Sequence, residues 1–536
     1  MEKPIRGSSP APDHIMVSIN GDACTQMAVT WRTSTDTENG YVLYRAENEK
    51  EFSRCDAPHD LFVSDIDESH IFSVLLKGLK PDTKYYYTCG DDSHRSGEFY
   101  FSTSPENLTK FKFICVSDQQ KNVPFDCPDY SYFQSFVKKI LKENPDTRFV
   151  LTGGDNTDCG QHEVQWNGAF EGLKGIAEYT PVMMTEGNHD TRGFRDYKNG
   201  TGRYYSEPAE FFCKQLRGAY PDNGPEGWKT ENYMFDYGNV HFTVMGVNGP
   251  EDVNKWAVES NKNTDKTWKI GTYHFPICYS GTDCQNYDAY PVMTECFESY
   301  DIVFSGHEHN FSRSFPLKKE SLYDRPSEGT IHYMLGNSGG NPPGARTISK
   351  VWHAAFYPQE VKDAMVAIVE VDGNKMTLTS VLDDGRIVDR CTVDKDKDEI
   401  TPYALAPTFN RTRAMFKGAD PGLCMASTPS ECRDGVWFTP LATLISYAGG
   451  SVIKEAGRVA MSIYGHTATF TEGSDIAETD SGELKLPAKV FRGNREQLYI
   501  PSDGCRAFGM RWAYAERNNF LSYEHESEDK PVTLQP

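Results

Sequence analysis

Six short apolar or β-branched runs, at 14–19, 27–32, 41–44, 71–76, 85–88 and 99–102, alternate with turn-rich segments over the first hundred residues. That pattern predicts an all-β domain. Past Ser104-Pro105 the texture changes: an apolar run at 111–116, an amphipathic stretch at 131–141 and a second apolar run at 147–152. In the middle stretch Phe133, Phe136, Val137, Ile140 and Leu141 recur at helical spacing. Strand, helix, strand predicts an α/β sheet. Runs at 179–185, 240–247, 268–273, 301–305, 330–335, 365–371 and 375–382 predict its remaining strands, within a layered α/β/β/α sandwich ending near residue 400. Beyond it lies a weak internal repeat, 435–452 and 496–512. Each copy has a β-prone run, a proline, a stretch compatible with a helix and a later β-prone segment, 458–464 or 519–523. Three domains are therefore expected: a β-sandwich at 1–105, a four-layer α/β domain at 106–400 and a small α+β domain at 401–536.

The polar residues that end the predicted strands of the middle domain carry its chemistry. S-D-Q-Q (117–120), G-D-N-T-D (154–158), G-N-H-D (187–190), T-Y-H (272–274) and G-H-E-H (306–309) each follow an apolar run. Ligand sites of α/β sheets lie at that end of the strands. The set brings three carboxylates, one amide and four imidazoles together from about 190 residues of chain, the ligand inventory of two closely spaced metal ions. In an extended G-H-E-H segment residues two apart point the same way, so His307 and His309 enter one site while Glu308 faces elsewhere. Asn188 offers a neutral carbonyl oxygen to a metal. His189 is expected in the phosphate-binding space, with Asp190 hydrogen-bonded to its ring and fixing its tautomer.

Length, charge and cysteines narrow the setting. A chain of 536 residues exceeds one hydrophobic core. A net charge of -22 excludes a nucleic-acid scaffold, which needs a positive field; it leaves room for an anionic substrate at bound cations. No stretch of 18 apolar residues spans a membrane. The first residues lack the apolar core of a signal peptide, so an extracellular or cell-surface protein whose leader has been removed is expected. The 14 cysteines, with Cys278/Cys284 and Cys424/Cys432 at disulfide-compatible spacing, suggest several disulfides; a cytosolic protein with free thiols is the alternative.

The five runs, in this order, resemble the motifs of the calcineurin-like metallophosphoesterase superfamily. Residues 78–88, G-L-K-P-D-T-K-Y-Y-Y-T, resemble the tyrosine corner of a fibronectin type III sandwich, with Trp31 filling the core between its sheets. A sandwich leading into that domain is similar to purple acid phosphatases. The resemblance implies Asp118, Asp155 and His309 around a first metal and Asp155, Asn188, His274 and His307 around a second, with His189 assisting the phosphate or leaving group. Two departures stand out. The family's second-motif tyrosine, which gives purple enzymes their colour, is here Asp158, so no tyrosinate–iron(III) colour is expected, Asp158 is itself a candidate ligand, and the ions are Fe, Zn or Mn. Gln120 stands where the superfamily often has histidine, either hydrogen-bonding bound hydroxide or outside the shell. The C-terminal repeat resembles the small repeats named after the N-terminal domain of copper amine oxidase, often appended to secreted enzymes of Gram-positive bacteria. That likeness implies no copper, and suggests a cell-wall or protein contact.

The expected activity is hydrolysis of a small phosphate monoester by metal-activated hydroxide, with His189 and Asp190 as catalytic residues. Arg192, Arg195, Arg203, Tyr279 and Tyr287 are the candidates for substrate contact by proximity in the chain. A phosphodiesterase shares this core and is the runner-up; a non-catalytic binding protein is the alternative of another class. Oligomeric state is not encoded in any feature of the chain.

Overall fold

A computed structural model describes residues 7–123, 126–192, 208–280, 290–318, 321–341, 352–357, 359, 363–402, 413–419, 422–425, 430–493, 496–515 and 520–526. The chain divides into two compact units, residues 1–313 with 325–347 and 356–403, and residues 314–324 with 348–355 and 404–536. The β-sandwich and the α/β domain thus share one unit, and the second takes in two segments from within the expected 106–400 domain.

In the sandwich, Asp13–Ser18, Gln26–Ser34, Glu68–Lys77 and His59–Val63 form one four-stranded sheet, and Ser53–Ala57, Gly40–Ala46, Lys84–Gly90 and Phe99–Ser102 the other. Trp31 is buried in the core and stacks on Phe72 at 5.1 Å, as expected. The Lys80 amide donates to the Tyr85 hydroxyl at 2.8 Å, the backward contact of a tyrosine corner. Two edge strands, Ser53–Ala57 and His59–Val63, were not expected: most of their side chains are exposed or half-buried, and the only apolar run in either is the three residues Leu61 to Val63.

The α/β domain opens with a strand, Lys110–Val116, a helix, Ser131–Glu143, a strand, Thr147–Thr152, a helix, Glu163–Leu173, and a two-residue strand, Val182–Met183. These three strands pair in parallel. Antiparallel Met365–Asp372, Lys375–Leu382, Ile387–Asp394 and Glu399–Thr401 extend the sheet on the other side of Lys110–Val116. The second sheet runs Tyr233–Tyr237, Val240–Met245, Trp268–Tyr273, Ile302–Ser305, Ile331–Leu335 and Phe311–Ser314 in spatial order. Phe113, from the first sheet, stacks on Phe149 at 4.9 Å and meets Phe242 of the second edge-on at 5.4 Å. All three are buried, so the core lies between the sheets. Across it, fully buried Arg313 and Asp389 pair at 2.7 Å, and the hydroxyls of Tyr333 and Ser380 meet at 2.7 Å. The helices Pro250–Asn263 and Tyr290–Phe297 cover the second sheet through a cluster including Met245, Val253, Ala257, Tyr273, Met293 and Val303.

A polar junction joins sandwich to α/β domain. Arg32 grips Asp13 through Nε and Nη2 at 2.8 and 2.6 Å and reaches buried Glu163 at the start of its helix. His14 lies between Gln215 and Asn167, at 3.1 and 3.0 Å, and stacks on Phe170 at 4.3 Å.

In the second unit the repeat becomes a local two-fold. Val436–Thr439 pairs antiparallel with Leu498–Pro501, and Thr439 and Ile500, each the residue before a proline, face one another. The helix Leu441–Tyr447 and the 3-10 helix Ser502–Phe508 follow their strands, and each leads to a hairpin, Ser451–Glu455 with Arg458–Ile463 and Met510–Ala515 with Phe520–His525. Among the described residues no helix is long and apolar enough to cross a membrane. The disulfide expectation is corrected for ten of the described cysteines, Cys24, Cys55, Cys89, Cys115, Cys159, Cys213, Cys296, Cys391, Cys432 and Cys505, which are free; Cys284, the expected neighbour of Cys278, lies outside the described residues. Six of the ten are buried, where a thiol acts as a small apolar side chain.

The junction carries a pH dependence. Burial, and then the Arg32 charge, hold the His14 imidazole down at about 4. A group whose folded value is depressed contributes stability that is present above its unfolded value, about 6.5, and is lost as pH falls through 4. Between those limits His14 should remove up to about 3 kcal/mol of folding stability. Urea denaturation at stepped pH should show this loss in the native chain and a shallower one in His14→Gln; parallel slopes would refute the assignment.

Candidate metal centre

Each motif residue is delivered by the carboxyl end of a parallel strand. Asp118 follows Lys110–Val116, Asp155 follows Thr147–Thr152, and Asn188 and His189 follow Val182–Met183; His274 follows Trp268–Tyr273, and His307 and His309 follow Ile302–Ser305. The chain turns abruptly there. Asp118, Asp155, His307 and His309 have φ of 52°, 55°, 77° and 54°, a left-handed conformation that non-glycine residues adopt at a cost and that clusters at functional sites. Two glycines let these turns close up: a Cβ on Gly187 would lie 2.2 Å from Asp155 Oδ1, and one on Gly306 2.4 Å from Asp118 Oδ2.

Donor atoms converge in two groups that share Asp155. Asp155, His274 and His307 each present a ligand atom within 4.8 Å of the others, and so do Asp118, Asp155 and His309. His274 Nδ1 lies 2.8 Å from the Gly153 carbonyl, which only accepts, so Nδ1 carries the hydrogen. The other nitrogen, Nε2, faces Asp155 Oδ2 at 3.2 Å and Asn188 Oδ1 at 3.1 Å. Asn188 Oδ1 is in turn 2.9 Å from His307 Nδ1. His309 repeats the device: Nδ1 is fixed by the Asn341 carbonyl at 2.8 Å, and Nε2 faces Asp118 Oδ1 at 3.4 Å. Lone pairs so placed repel unless positive charge lies among them. Burial alone would depress His274, but the Asp155 carboxylate pushes it up to about 9. His307, buried and beside the His274 charge, is held well below the usual histidine range.

The remaining residues take parts the sequence did not assign. Asp190 does not reach the His189 ring, which corrects the expected pairing. It is fully buried and accepts five hydrogen bonds, from Asn156 N and Nδ2, Thr157 N and Oγ1 and Gly187 N. Burial, and then repulsion from Asp155, push it up to about 6. Its place on His189 is taken by Asp158, whose backbone oxygen and Oδ1 both lie 3.0 Å from Nδ1. These contacts hold the ring at Nδ1 and turn Nε2 inward, 3.8 Å from Asp155 Oδ2. Asp158 belongs to neither donor group. Arg192 Nη1 comes to 3.0 Å from His189 Nδ1. Glu308 faces away from the donors, as expected, and accepts the Ser280 amide at 2.5 Å, tying together the loops that follow His274 and Gly306. Tyr279 is half-buried in the first of these loops; Arg195, Arg203 and Tyr287 lie outside the described residues.

Residues 12–103 match the model of the purple acid phosphatase N-terminal domain, and residues 111–311 that of the calcineurin-like phosphoesterases. The chain joins a purple acid phosphatase N-terminal domain to a calcineurin-like phosphoesterase domain. It is 26% identical over 310 residues to purple acid phosphatase 15 of Arabidopsis thaliana, an alignment covering 50% of this chain and 53% of that protein. With the probable purple acid phosphatase 20 of the same plant it shares 24% over 353 residues, 63% of this chain and 76% of that one. The chain thus spans about half the length of the first of these relatives. A solved structure of purple acid phosphatase PPD1 from yellow lupin (Lupinus luteus) seeds matches at a TM-score of 0.58 and 18% identity, over 72% of this chain and 75% of that one; at that identity the match speaks for the fold.

The family implies a dinuclear metal centre, and the phosphoesterase domain's donors fit one. Cation–donor bonds of about 2.0–2.2 Å, at right to tetrahedral angles, put neighbouring donors about 2.9–3.5 Å apart, the spacing found around His274, Asn188 and His309. The mixture of carboxylate, amide oxygen and imidazole suits hard to borderline ions. His307 Nε2 is buried without a hydrogen-bond partner, as expected of a ring held by its other nitrogen.

Asp190 should prove a positioning residue for the whole loop. Asp190→Ala strands buried donors of Asn156, Thr157 and Gly187, each costing about 1–3 kcal/mol. Urea denaturation should report a loss of at least about 3 kcal/mol, and elemental analysis a loss of bound metal. Undiminished stability would show that the loop holds itself.

Proposed function

We propose that the chain hydrolyses phosphate monoesters at a two-metal centre, with Asp118, Asp155 and His309 holding one ion and Asp155, Asn188, His274 and His307 the other. The observation that carries this reading is the pair of donor groups sharing Asp155, with His189 Nε2 turned toward the same carboxylate. When bound, the two cations supply the Lewis acidity that polarises a phosphoryl group and activates water. The chain's own residues do the rest. Asp155, common to both donor groups, would be shared by the two positions. Asn188 contributes an uncharged oxygen, so its position stays net positive toward an anionic substrate. Held at Nδ1 by Asp158, His189 as an imidazolium would give its Nε2 proton to the departing ester oxygen and be left neutral. Arg192, beside it, adds positive charge. A monoester carries one more ionised oxygen than a diester, and that charge favours the monoester.

Reconstitution with Mn, Zn and Fe in turn, with initial rates on an aryl phosphate and the matching bis-aryl diester, tests the reading. A strong preference for the monoester supports it. Preference for the diester would replace it with the phosphodiesterase reading, and turnover of neither substrate with any ion would leave a binding protein. The Asp158–His189 pair gives a second test. Asp158→Ala should lower kcat on the aryl monoester by roughly a hundredfold or more with little change in KM or Tm. An unchanged kcat would remove His189 from proton transfer.

A further inference from the structure

The two ends of the Gln120 side chain, beside the donors of the first position, are treated unequally. It is fully buried two residues past Asp118. Its Nε2 lies 3.0 Å from Asp155 Oδ2 and 3.2 Å from His309 Nε2, both donor atoms of the first position. Its Oε1 is buried with no hydrogen-bond partner. A buried amide oxygen without a partner has lost its water and gained nothing in return, while the amide nitrogen points its hydrogens at a carboxylate and an imidazole lone pair. The two ends of an amide have nearly the same shape, and a half-turn about the last side-chain torsion exchanges them. The exchange would place Oε1 about 3 Å from two donors of the first position, the spacing that neighbouring ligands of one cation adopt.

The first position also lacks a donor. Asp118, Asp155 and His309 supply three, the second position has four, and Asp158, the remaining carboxylate of the second motif, meets His189 through Oδ1 and lies in neither donor group. We infer that Gln120 is a metal ligand, its Oε1 completing the first ion's shell beside Asp118, Asp155 and His309; this rests on the two-metal reading above. Without the cation the amide hydrogens supply the positive end the lone pairs require. With it, an N–H₂ group facing a cation is repelled, and the orphaned oxygen turns inward. A neutral fourth ligand leaves the first ion more net charge than a phenolate would, so an ordinary divalent ion fits there.

Calorimetric titration of the chelator-stripped full chain with Mn²⁺, checked by elemental analysis, reads the two sites directly. The native chain is expected to take two ions. Gln120→Leu should retain one affinity and weaken the other by at least about tenfold, with Gln120→Glu restoring both. Equal affinities in Gln120→Leu and the native chain would overturn the Gln120 ligand while leaving the two-metal centre standing; failure of the native chain to bind Mn²⁺ would overturn the centre itself. Should Gln120→Leu fail to fold, the visible spectrum of the Co²⁺-loaded Gln120→Glu chain decides. A spectrum shifted from the native one supports ligation, and an identical spectrum excludes it.

Discussion

Lone pairs of like sign repel, and the carboxyl edge of this α/β core gathers several of them within about 3 Å. Two backbone carbonyls, Gly153 and Asn341, each take the Nδ1 hydrogen of one imidazole, so that His274 and His309 can present only Nε2 to Asp155 and Asp118. No neutral arrangement of these groups is comfortable, and the architecture exists to hold them in place. Parallel strands bring five loops to one edge, left-handed turns at Asp118, Asp155, His307 and His309 swing their side chains across it, and Gly187 and Gly306 remove the Cβ atoms that would block the approach. Each such turn costs about 1 kcal/mol or more. The cost is sustained because the surrounding backbone is itself pinned, as when the His307 amide donates to Asp118 Oδ1 at 2.9 Å and the His189 amide to Asp155 Oδ1 at 2.8 Å.

That arrangement divides the acidic residues by task. Asp155 and Asp158, three residues apart around a tight turn, cannot face the same way: the first points among the donors and the second reaches His189. Asp190 follows His189 directly and points away from its ring, into the backbone amides of the neighbouring loop. The result is a chain of support in which Asp190 ties Gly187 to Asn156 and Thr157, and the same two loops meet again through Gly160 and the His189 carbonyl, 2.9 Å apart. Moving either loop moves both Asp155 and Asn188.

The strand-end motifs and most core strands were legible in the sequence because apolar runs and the polar residues that stop them are local signals. Lys375–Leu382 and Phe99–Ser102 fall where the pattern put them. The pairing of Asp158 with His189 was not legible: adjacency favoured Asp190, and only the handedness of two turns decides between them. Gln120 was ambiguous for the same reason, since its neighbours His309 and Asp155 come from other loops. The edge strands Ser53–Ala57 and His59–Val63 escaped because partners in the sheet hold them, whereas their own apolar residues are few and form no run longer than Leu61 to Val63. The free cysteines show the limit of spacing arguments: Cys115, Cys296 and Cys391 are fully buried core residues, chosen by volume.

The sandwich is more than an appendage to this core. Its Arg32 reaches Glu163, and its Asp65 accepts the Glu163 amide at 2.8 Å and meets His162 Nδ1 at 3.0 Å. Glu163 opens the helix that carries Gln165, whose Oε1 accepts the Asp158 amide at 3.2 Å, and Trp166, whose Nε1 donates to the Gly160 carbonyl at 2.7 Å. A continuous set of buried contacts therefore runs from the first domain, through one helix start, to the carboxylate that orients His189. Burying Arg32 and Glu163 has a desolvation cost that apolar side chains would avoid. In return, charge and hydrogen-bond direction fix the helix start in one register, which an apolar contact, indifferent to small slides, would leave loose. The position of Asp158, and through it the direction of His189 Nε2, is then set partly by a domain that contributes no residue to the donor groups.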